Sequence, residues 1–172
     1  MKFINIGMIL FFVVFLSNSD ARPVSPFSVL DSSPLSKRSL INVSVVVEPA
    51  LAPQGSTFDL HVQIVITPGY HIYSLKEMVE GEWGTKIQII EPVLEPSSEW
   101  KESPYQVVYD GALKKAVKVH ENLVEFVRKF FVPRSASNGE ILVVGRLKYR
   151  LCDNRICSLP EIVKFQTSLH IE

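Results

Sequence analysis

Residues 56–68, which read STFDLHVQIVITP, alternate between apolar and polar side chains over the length of a β-strand. The apolar positions that share one face are Phe58, Leu60, Val62 and Ile64. The polar positions between them are Asp59, His61 and Gln63. Successive side chains of a strand point to opposite faces, so this period of two is typical of a strand with one buried face. The segment therefore predicts a sheet that packs one side against a core.

Similar apolar segments, separated by turn residues, recur along the rest of the chain. They occupy residues 41–49, 84–92, 122–133, 139–152 and 160–172. No segment has the pattern of a long amphipathic helix. Seven or more short strands in about 130 residues are typical of an all-β, antiparallel immunoglobulin-like β-sandwich. A closed barrel is the alternative that the pattern alone leaves open.

The first residues of the chain predict a secretory signal peptide. Lys2 supplies a positive charge, and an uncharged, mostly apolar run follows at residues 3–16. Small residues at Ser19 and Ala21 then indicate cleavage after Ala21. The run is shorter than the roughly 20 residues of a membrane span, and an uncleaved anchor or a buried core segment is the alternative. We therefore expect a signal peptide over residues 1–21 and a periplasmic or secreted protein, soluble after cleavage, in which disulfides persist.

Ser and Pro dominate residues 22–38 without any periodicity, which predicts a flexible lead-in before a folded domain over residues 39–172. The chain has 18 basic and 18 acidic residues, so its formal net charge is zero. Charge therefore gives no reason to expect nucleic acid as a partner. No G-x-S-x-G motif is present, which makes a hydrolase remote. Whether the chain is an enzyme at all stays open.

The chain's two cysteines, Cys152 and Cys157, lie in the stretch YRLCDNRIC at residues 149–157. The residues between them include the turn formers Asp153 and Asn154. A hairpin with a short loop brings two such sulfurs within bonding distance. By chain-entropy reasoning, a disulfide that closes about six residues contributes on the order of 2 kcal/mol, at the low end of the usual range. Spacing alone leaves a structural disulfide and a redox pair equally open.

A metal site is a less favoured interpretation of the same cysteines. Zinc would need two further ligands. The four histidines have no ligand-like spacing to the cysteines, and they are His61, His71, His120 and His170. The sequence therefore predicts neither a metal nor another cofactor.

Three stretches, in this order, resemble the N-terminal periplasmic domain of the DsbD-type thiol:disulfide interchange proteins. They are PGYHIYSL at residues 68–75, GEWGTKIQI at residues 81–89 and YRLCDNRICSLPE at residues 149–161. The cysteine segment is the most specific of the three. Arg150 stands where the family usually has Gln, and only Pro160 is present where two prolines often follow the second cysteine. The resemblance implies an immunoglobulin-like sandwich from about residue 41 to the end of the chain.

The resemblance also implies that the two cysteines cycle between dithiol and disulfide. Cys157 would form the mixed disulfide with a partner, and Cys152 would resolve it. The implied partners are thioredoxin-like or other extracytoplasmic redox proteins. The resembled proteins usually continue into a membrane domain and a thioredoxin-like domain, so we expect a separate molecule, such as a membrane electron carrier, to exchange electrons with this chain. The alternative is a secreted binding module in which the hairpin disulfide is purely structural.

Three further residues are implied by the resemblance. Tyr109 is the candidate for an aromatic cap that covers the sulfurs and moves aside when a partner docks. Tyr73 is similar to a tyrosine that lines the site. Asp110 would lie near the cap, where a carboxylate disfavours the thiolate and lowers its reactivity. The alternatives are that both tyrosines are ordinary strand aromatics and that Asp110 is only the first residue of an Asp-Gly turn.

Overall fold

The structure is a computed structural model that describes residues 39–77 and 84–172. The expected signal peptide and lead-in lie outside these residues, as do residues 81–83 of the second resembling stretch. The described part of the chain has thirteen strands and no helix. The strands are β1 (Ile41–Glu48), β2 (Leu51–Ala52), β3 (Thr57–Ile66), β4 (His71–Tyr73), β5 (Lys86–Glu91), β6 (Glu95–Pro96), β7 (Lys101–Glu102), β8 (Gln106–Asp110), β9 (Lys115–Glu121), β10 (Leu123–Phe131), β11 (Gly139–Tyr149), β12 (Leu151–Cys152) and β13 (Glu161–Ile171).

The strands form three sheets. The first sheet has the order β1-β3-β10-β6, and β7 also pairs with β10. The second has the order β2-β13-β11-β5, and the third has the order β12-β4-β9-β8. Every pairing between strands is antiparallel except the two-residue pairing of β2 with β13, which is parallel. The predicted all-β, antiparallel sandwich is confirmed. Within residues 39–77 and 84–172 each sheet ends in edge strands, so the alternative of a closed barrel is wrong.

The main core fills the space between the first and second sheets. The predicted inward face of β3, from Phe58 to Ile64, is at most 1% exposed. The buried side chains that complete this core from β10, β11 and β13 include Val124, Phe126, Phe130, Val143, Leu147, Phe165 and Leu169. Burial of one such side chain stabilises the fold by about 1.5–3 kcal/mol. The period-two pattern of the sequence therefore places the sandwich core correctly.

The third sheet has a small core of its own. Its buried members are Tyr73, Val117, Val119 and Cys152. The chain passes from the main core to this small core at the end of β11 and in β12. Tyr149 and Leu151 belong to the main core, whereas Cys152 belongs to the small one. Cys152 thus follows the main core directly along the chain, and it lies in the third sheet, outside the two main sheets.

No helix in the described ranges is long and apolar enough to cross a membrane.

Candidate functional site

Cys152 and Cys157 form a disulfide, and their residues also make an isolated antiparallel bridge. Cys152 is fully buried, whereas Cys157 is only half-buried. The loop between them is closed by Asp153, whose Oδ1 accepts hydrogen bonds from the backbone N–H groups of Arg155 (2.7 Å) and Ile156 (2.8 Å). These two bonds, that of Ile156 first, hold the pKa of Asp153 below its usual value. The loop is therefore a local turn, and it ends at the less buried of the two cysteines.

Tyr73 contacts both sulfurs. Its hydroxyl oxygen lies 3.2 Å from Sγ of Cys152 and 3.3 Å from Sγ of Cys157. Sulfurs in a disulfide carry no hydrogen and are weak acceptors, and the hydroxyl proton is donated to the stronger acceptor, Oδ2 of Asp110, at 2.6 Å. Burial, followed by this bond to Asp110, raises the pKa of Tyr73 far above its usual value. The tyrosine is thus a neutral hydroxyl placed between the disulfide and a carboxylate.

Asp110 is fully buried, and both of its carboxylate oxygens have hydrogen-bond partners. Its Oδ1 accepts the backbone N–H groups of Ala112 (2.7 Å) and Leu113 (2.9 Å). Its Oδ2 accepts the hydroxyl of Tyr73 and lies 3.2 Å from Nε2 of His71. Burial alone would raise the pKa of Asp110, but these hydrogen bonds outweigh it and hold the pKa below its usual value. Asp110 therefore closes the turn and also lies in the site, so the two interpretations of this residue coexist.

The structure does not bring Tyr109 into this cluster. Tyr109 is 67% exposed, and it alternates along β8 with the buried Asp110, which places the two side chains on opposite faces of the strand. The residues near this turn that pack against the small core are Val108 and Leu113. The cap role of Tyr109 stays a prediction, and Leu113 packs against the small core that contains Cys152.

His71 is a site residue that the sequence did not reveal. It pairs directly with Cys152 across β4 and β12 and is 6% exposed. Its ring lies edge-on to that of Tyr73, with ring centroids 5.7 Å apart. One signal in the sequence pointed to it: residues two apart on a strand share a face, so Tyr73 in the site implies His71 in the site.

A second buried polar cluster fixes the end of β4. The carboxylate of Glu102 accepts hydrogen bonds from Oγ of Ser74 (2.7 Å) and the backbone N–H of Leu75 (2.9 Å), and it lies 3.0 Å from Nε2 of His120. Burial would raise the pKa of Glu102, but these bonds, that of His120 first, lower it. Because Ser74 follows Tyr73 directly, this cluster holds the tyrosine in position without touching the sulfurs.

The turn after β8 also touches the loop between the cysteines. The backbone N–H of Gly111 donates to Oδ1 of Asn154 at 3.1 Å. A Cβ atom on Gly111 would lie only 2.3 Å from the backbone oxygen of Asn154. This position requires glycine because of the close approach, and the contact ties the disulfide loop to the turn that carries Asp110.

Fold and site together define a β-sandwich domain with a disulfide held in a small accessory sheet. The chain has the fold of the N-terminal periplasmic domain of ScsB from Proteus mirabilis, with a TM-score of 0.51 and 14% identity over 77% of this chain. It spans 47% of the length of that ScsB chain. The resemblance seen in the sequence is therefore confirmed as a likeness of fold.

Two further solved structures are similar to the chain, with TM-scores under 0.5. One is the reduced N-terminal domain of DsbD from Neisseria meningitidis, with 15% identity, a TM-score of 0.46, and coverage of 76% of this chain and 86% of that chain. The other is a family 123 glycoside hydrolase from Clostridium perfringens, with 6% identity, a TM-score of 0.42, and coverage of 78% of this chain and 27% of that chain. No protein-family model matches the sequence, and no curated protein matches it.

Proposed function

We propose that the chain is an extracytoplasmic thiol:disulfide exchange module that passes electrons to or from partner proteins through Cys152 and Cys157. The observation that carries this proposal is the contact of the Tyr73 hydroxyl with both sulfurs, in a buried network with Asp110. A disulfide that closes so short a loop contributes little to stability. A purely structural hairpin bond does not require a buried hydroxyl and carboxylate beside it, whereas these groups can control the chemistry of an exchanging pair.

The burial of the two cysteines supports the roles that we propose for them. In the reducing direction, a thiolate of the partner attacks Sγ of Cys157, because Cys157 is the less buried of the two residues. The disulfide breaks, and Cys152 leaves as a thiolate that takes up a proton. The partner's second thiolate then attacks the partner's sulfur in the mixed disulfide and releases Cys157 as a thiol. The pair has gained two electrons and two protons, and the partner has become a disulfide.

The polar network controls the reduced pair. A thiol at Cys152 can donate to the oxygen of Tyr73, whose own O–H still donates to the carboxylate of Asp110. The ionised carboxylate of Asp110 disfavours a second negative charge nearby, so it favours the thiol over the thiolate. The reduced pair is thereby protected from oxidants until a docked partner changes its surroundings.

The proposal includes the setting of the module. A signal peptide over residues 1–21 directs the chain to the periplasm or out of the cell, and residues 22–38 lead into the folded domain of residues 39–172. The partners are thioredoxin-like proteins or other extracytoplasmic redox proteins, with a separate membrane electron carrier as a further candidate. The fold shared with a periplasmic domain of ScsB supports this setting.

An equilibrium titration in glutathione buffers tests the proposal. Labile, exchange-active disulfides have potentials above about −300 mV, and structural disulfides of secreted proteins lie below that value. We expect the Cys152–Cys157 pair to titrate above it. A lower potential would identify a structural disulfide and would favour a secreted binding module instead.

A further inference from the structure

Reduction of the disulfide would complete a cluster of metal-binding side chains. Nitrogen of His71, carboxylate oxygen of Asp110 and Sγ of Cys152 all lie within 4.8 Å of one another, and all three residues are buried. Cys157 adds a fourth ligand atom, because its sulfur is bonded to that of Cys152. We propose that the reduced protein binds one zinc ion through Cys152, Cys157, His71 and Asp110.

The distance between the two ligands outside the cysteine pair fits this ion. Zinc bonds to nitrogen and oxygen are about 2.0–2.1 Å long, so in a tetrahedral site these two atoms are roughly 3.3 Å apart. Nε2 of His71 and Oδ2 of Asp110 are 3.2 Å apart. An ion can therefore replace the contact between them without moving β4 away from β8.

The sulfur ligands need only a local movement. Cys152 is already within 4.8 Å of both other ligand atoms. Zinc–sulfur bonds are about 2.3 Å long, so two thiolates on one tetrahedral ion lie roughly 3.8 Å apart. Reduction removes the bond that holds the sulfurs closer than this. Cys157 is half-buried in a short turn and can make the shift.

The donor set selects the kind of ion. Two thiolates and an imidazole are soft to borderline ligands, which suit zinc and exclude the oxygen-coordinated calcium and magnesium ions. Four protein ligands would leave no position for water, as in closed, structural zinc sites. The two thiolates and the carboxylate carry three negative charges against the two positive charges of the ion, so the buried cluster is nearly neutralised.

Reduction and zinc binding need no chemical group from the proposed redox partner. A phosphine reductant gives two electrons to the disulfide and is oxidised to phosphine oxide with oxygen from water, which leaves two thiols. Zinc then displaces both thiol protons into solvent, and His71 binds through an unprotonated nitrogen. The bound ion occupies both sulfurs, so it would block thiol:disulfide exchange. Chemical reduction is sufficient to form this site, so zinc binding does not depend on the proposed exchange function.

The experiment measures zinc binding by calorimetry with a competing chelator. The protein is reduced with a phosphine under anaerobic conditions and compared with the oxidised protein. We expect one zinc per reduced chain and no binding by the oxidised chain. The His71→Gln variant should bind at least about tenfold more weakly, because one direct ligand is lost. His61→Gln is the matched control: His61 also lies near carboxylates, those of Glu125 and Glu48, but it is on β3 and should leave binding unchanged.

Cobalt provides a readout that needs no substitution. Cobalt bound to the reduced wild-type protein should give thiolate-to-metal charge-transfer absorption in the near ultraviolet and the intense visible bands of a tetrahedral site. Failure of the reduced protein to bind zinc, equal binding by the His71→Gln variant, or cobalt spectra without the thiolate absorption would each overturn the inference. The glutathione titration is independent of all three results, so failure of the zinc site and failure of the exchange function are distinguishable.

Discussion

The backbone N–H of Gly111 donates a hydrogen bond to Oδ1 of Asn154 at 3.1 Å, which joins the turn after β8 to the loop between the cysteines. The two segments are 43 residues apart in the sequence. Asp110, which precedes Gly111, bonds to Tyr73, and Tyr73 contacts both sulfurs. The loop that carries the disulfide and the turn that carries the carboxylate therefore have a fixed relative position.

Gly111→Ala should disturb this arrangement. The added Cβ would lie 2.3 Å from the backbone oxygen of Asn154, so one of the two segments must move. We expect a loss of about 1–3 kcal/mol in the free energy of unfolding and faster reduction of the disulfide by a small dithiol. Asn154→Ala is the control, because it removes the hydrogen bond without adding bulk and should have a smaller effect. A Gly111→Ala variant as stable as wild type would show that the contact is not restrictive.

Tyr73→Phe should change the redox potential more than a comparable substitution elsewhere. Phe keeps the ring but removes the hydroxyl that a Cys152 thiol would bond to. Loss of about 1 kcal/mol from the reduced form corresponds to a potential lower by on the order of 20 mV. The control is Tyr149→Phe, which removes another hydroxyl bonded to a carboxylate, that of Glu161 at 3.0 Å. Both variants should lose stability, by about 1–3 kcal/mol, but equal potentials for both would exclude a redox role for the Tyr73 hydroxyl.

Stability should fall in acid partly because of Asp110. The pKa of this carboxyl is lower in the folded protein than its usual value of 3.8, so folding favours the ionised form. The resulting stabilisation is complete above about pH 5 and is lost as the pH falls through the folded-state value. Asp110→Asn should therefore flatten the acid side of the stability profile measured by denaturant unfolding. Glu102 acts in the same direction, so part of the acid dependence should remain. An unchanged profile would contradict the role assigned to Asp110.

Leu113→Ala should expose the sulfurs to oxidants. Leu113 packs against the small core that contains Cys152, whereas Tyr109 is mostly exposed. We expect the reduced Leu113→Ala variant to oxidise faster in air than wild type, with a stability loss below the 2–5 kcal/mol of a fully buried leucine. Tyr109→Ala should oxidise at the wild-type rate. Fast oxidation of the Tyr109→Ala variant with little loss of stability would instead establish the cap that the sequence predicts.

Single cysteine variants should differ in reactivity. Cys152→Ala leaves the half-buried sulfur of Cys157, and Cys157→Ala leaves the fully buried sulfur of Cys152. We expect Cys152→Ala to react with a small aromatic disulfide roughly tenfold faster or more, since access limits the buried thiol. The same variant should trap mixed disulfides with a thioredoxin-like protein. Equal rates, or faster reaction through Cys152, would reverse the assigned roles.

The sequence predicted the sandwich well because its signal is local. Alternation along β3 shows which side chains are buried, and the four residues between the cysteines form a turn that needs no distant partner. Tyr73 and Asp110 were predicted as site residues from the family resemblance. In the structure Tyr73 contacts the sulfurs and Asp110 is hydrogen-bonded to Tyr73.

The remaining features depend on pairings between distant segments. His71 meets Cys152 only because β4 pairs with β12, and no spacing rule covers 81 residues. The resemblance also predicted that the neighbours Tyr109 and Asp110 both lie near the site, although adjacent side chains on a strand face opposite sides. Strand β8 extends through Asp110, and the buried side chain of the two is that of Asp110, while the cap role of Tyr109 stays a prediction.

The placement of the disulfide outside the two main sheets has a thermodynamic consequence. Neither core sheet contains a cysteine, so the oxidised and reduced chains can share one sandwich and can be compared as two states of the same fold. In a closed cycle, the gap between their unfolding free energies equals the gap between the redox free energies of the folded and unfolded pair. Denaturant titrations of the two forms therefore measure how strongly the fold favours the disulfide, without any redox buffer. A substitution that changes the redox free energy of the folded pair must therefore change the difference between the two unfolding free energies by the same amount.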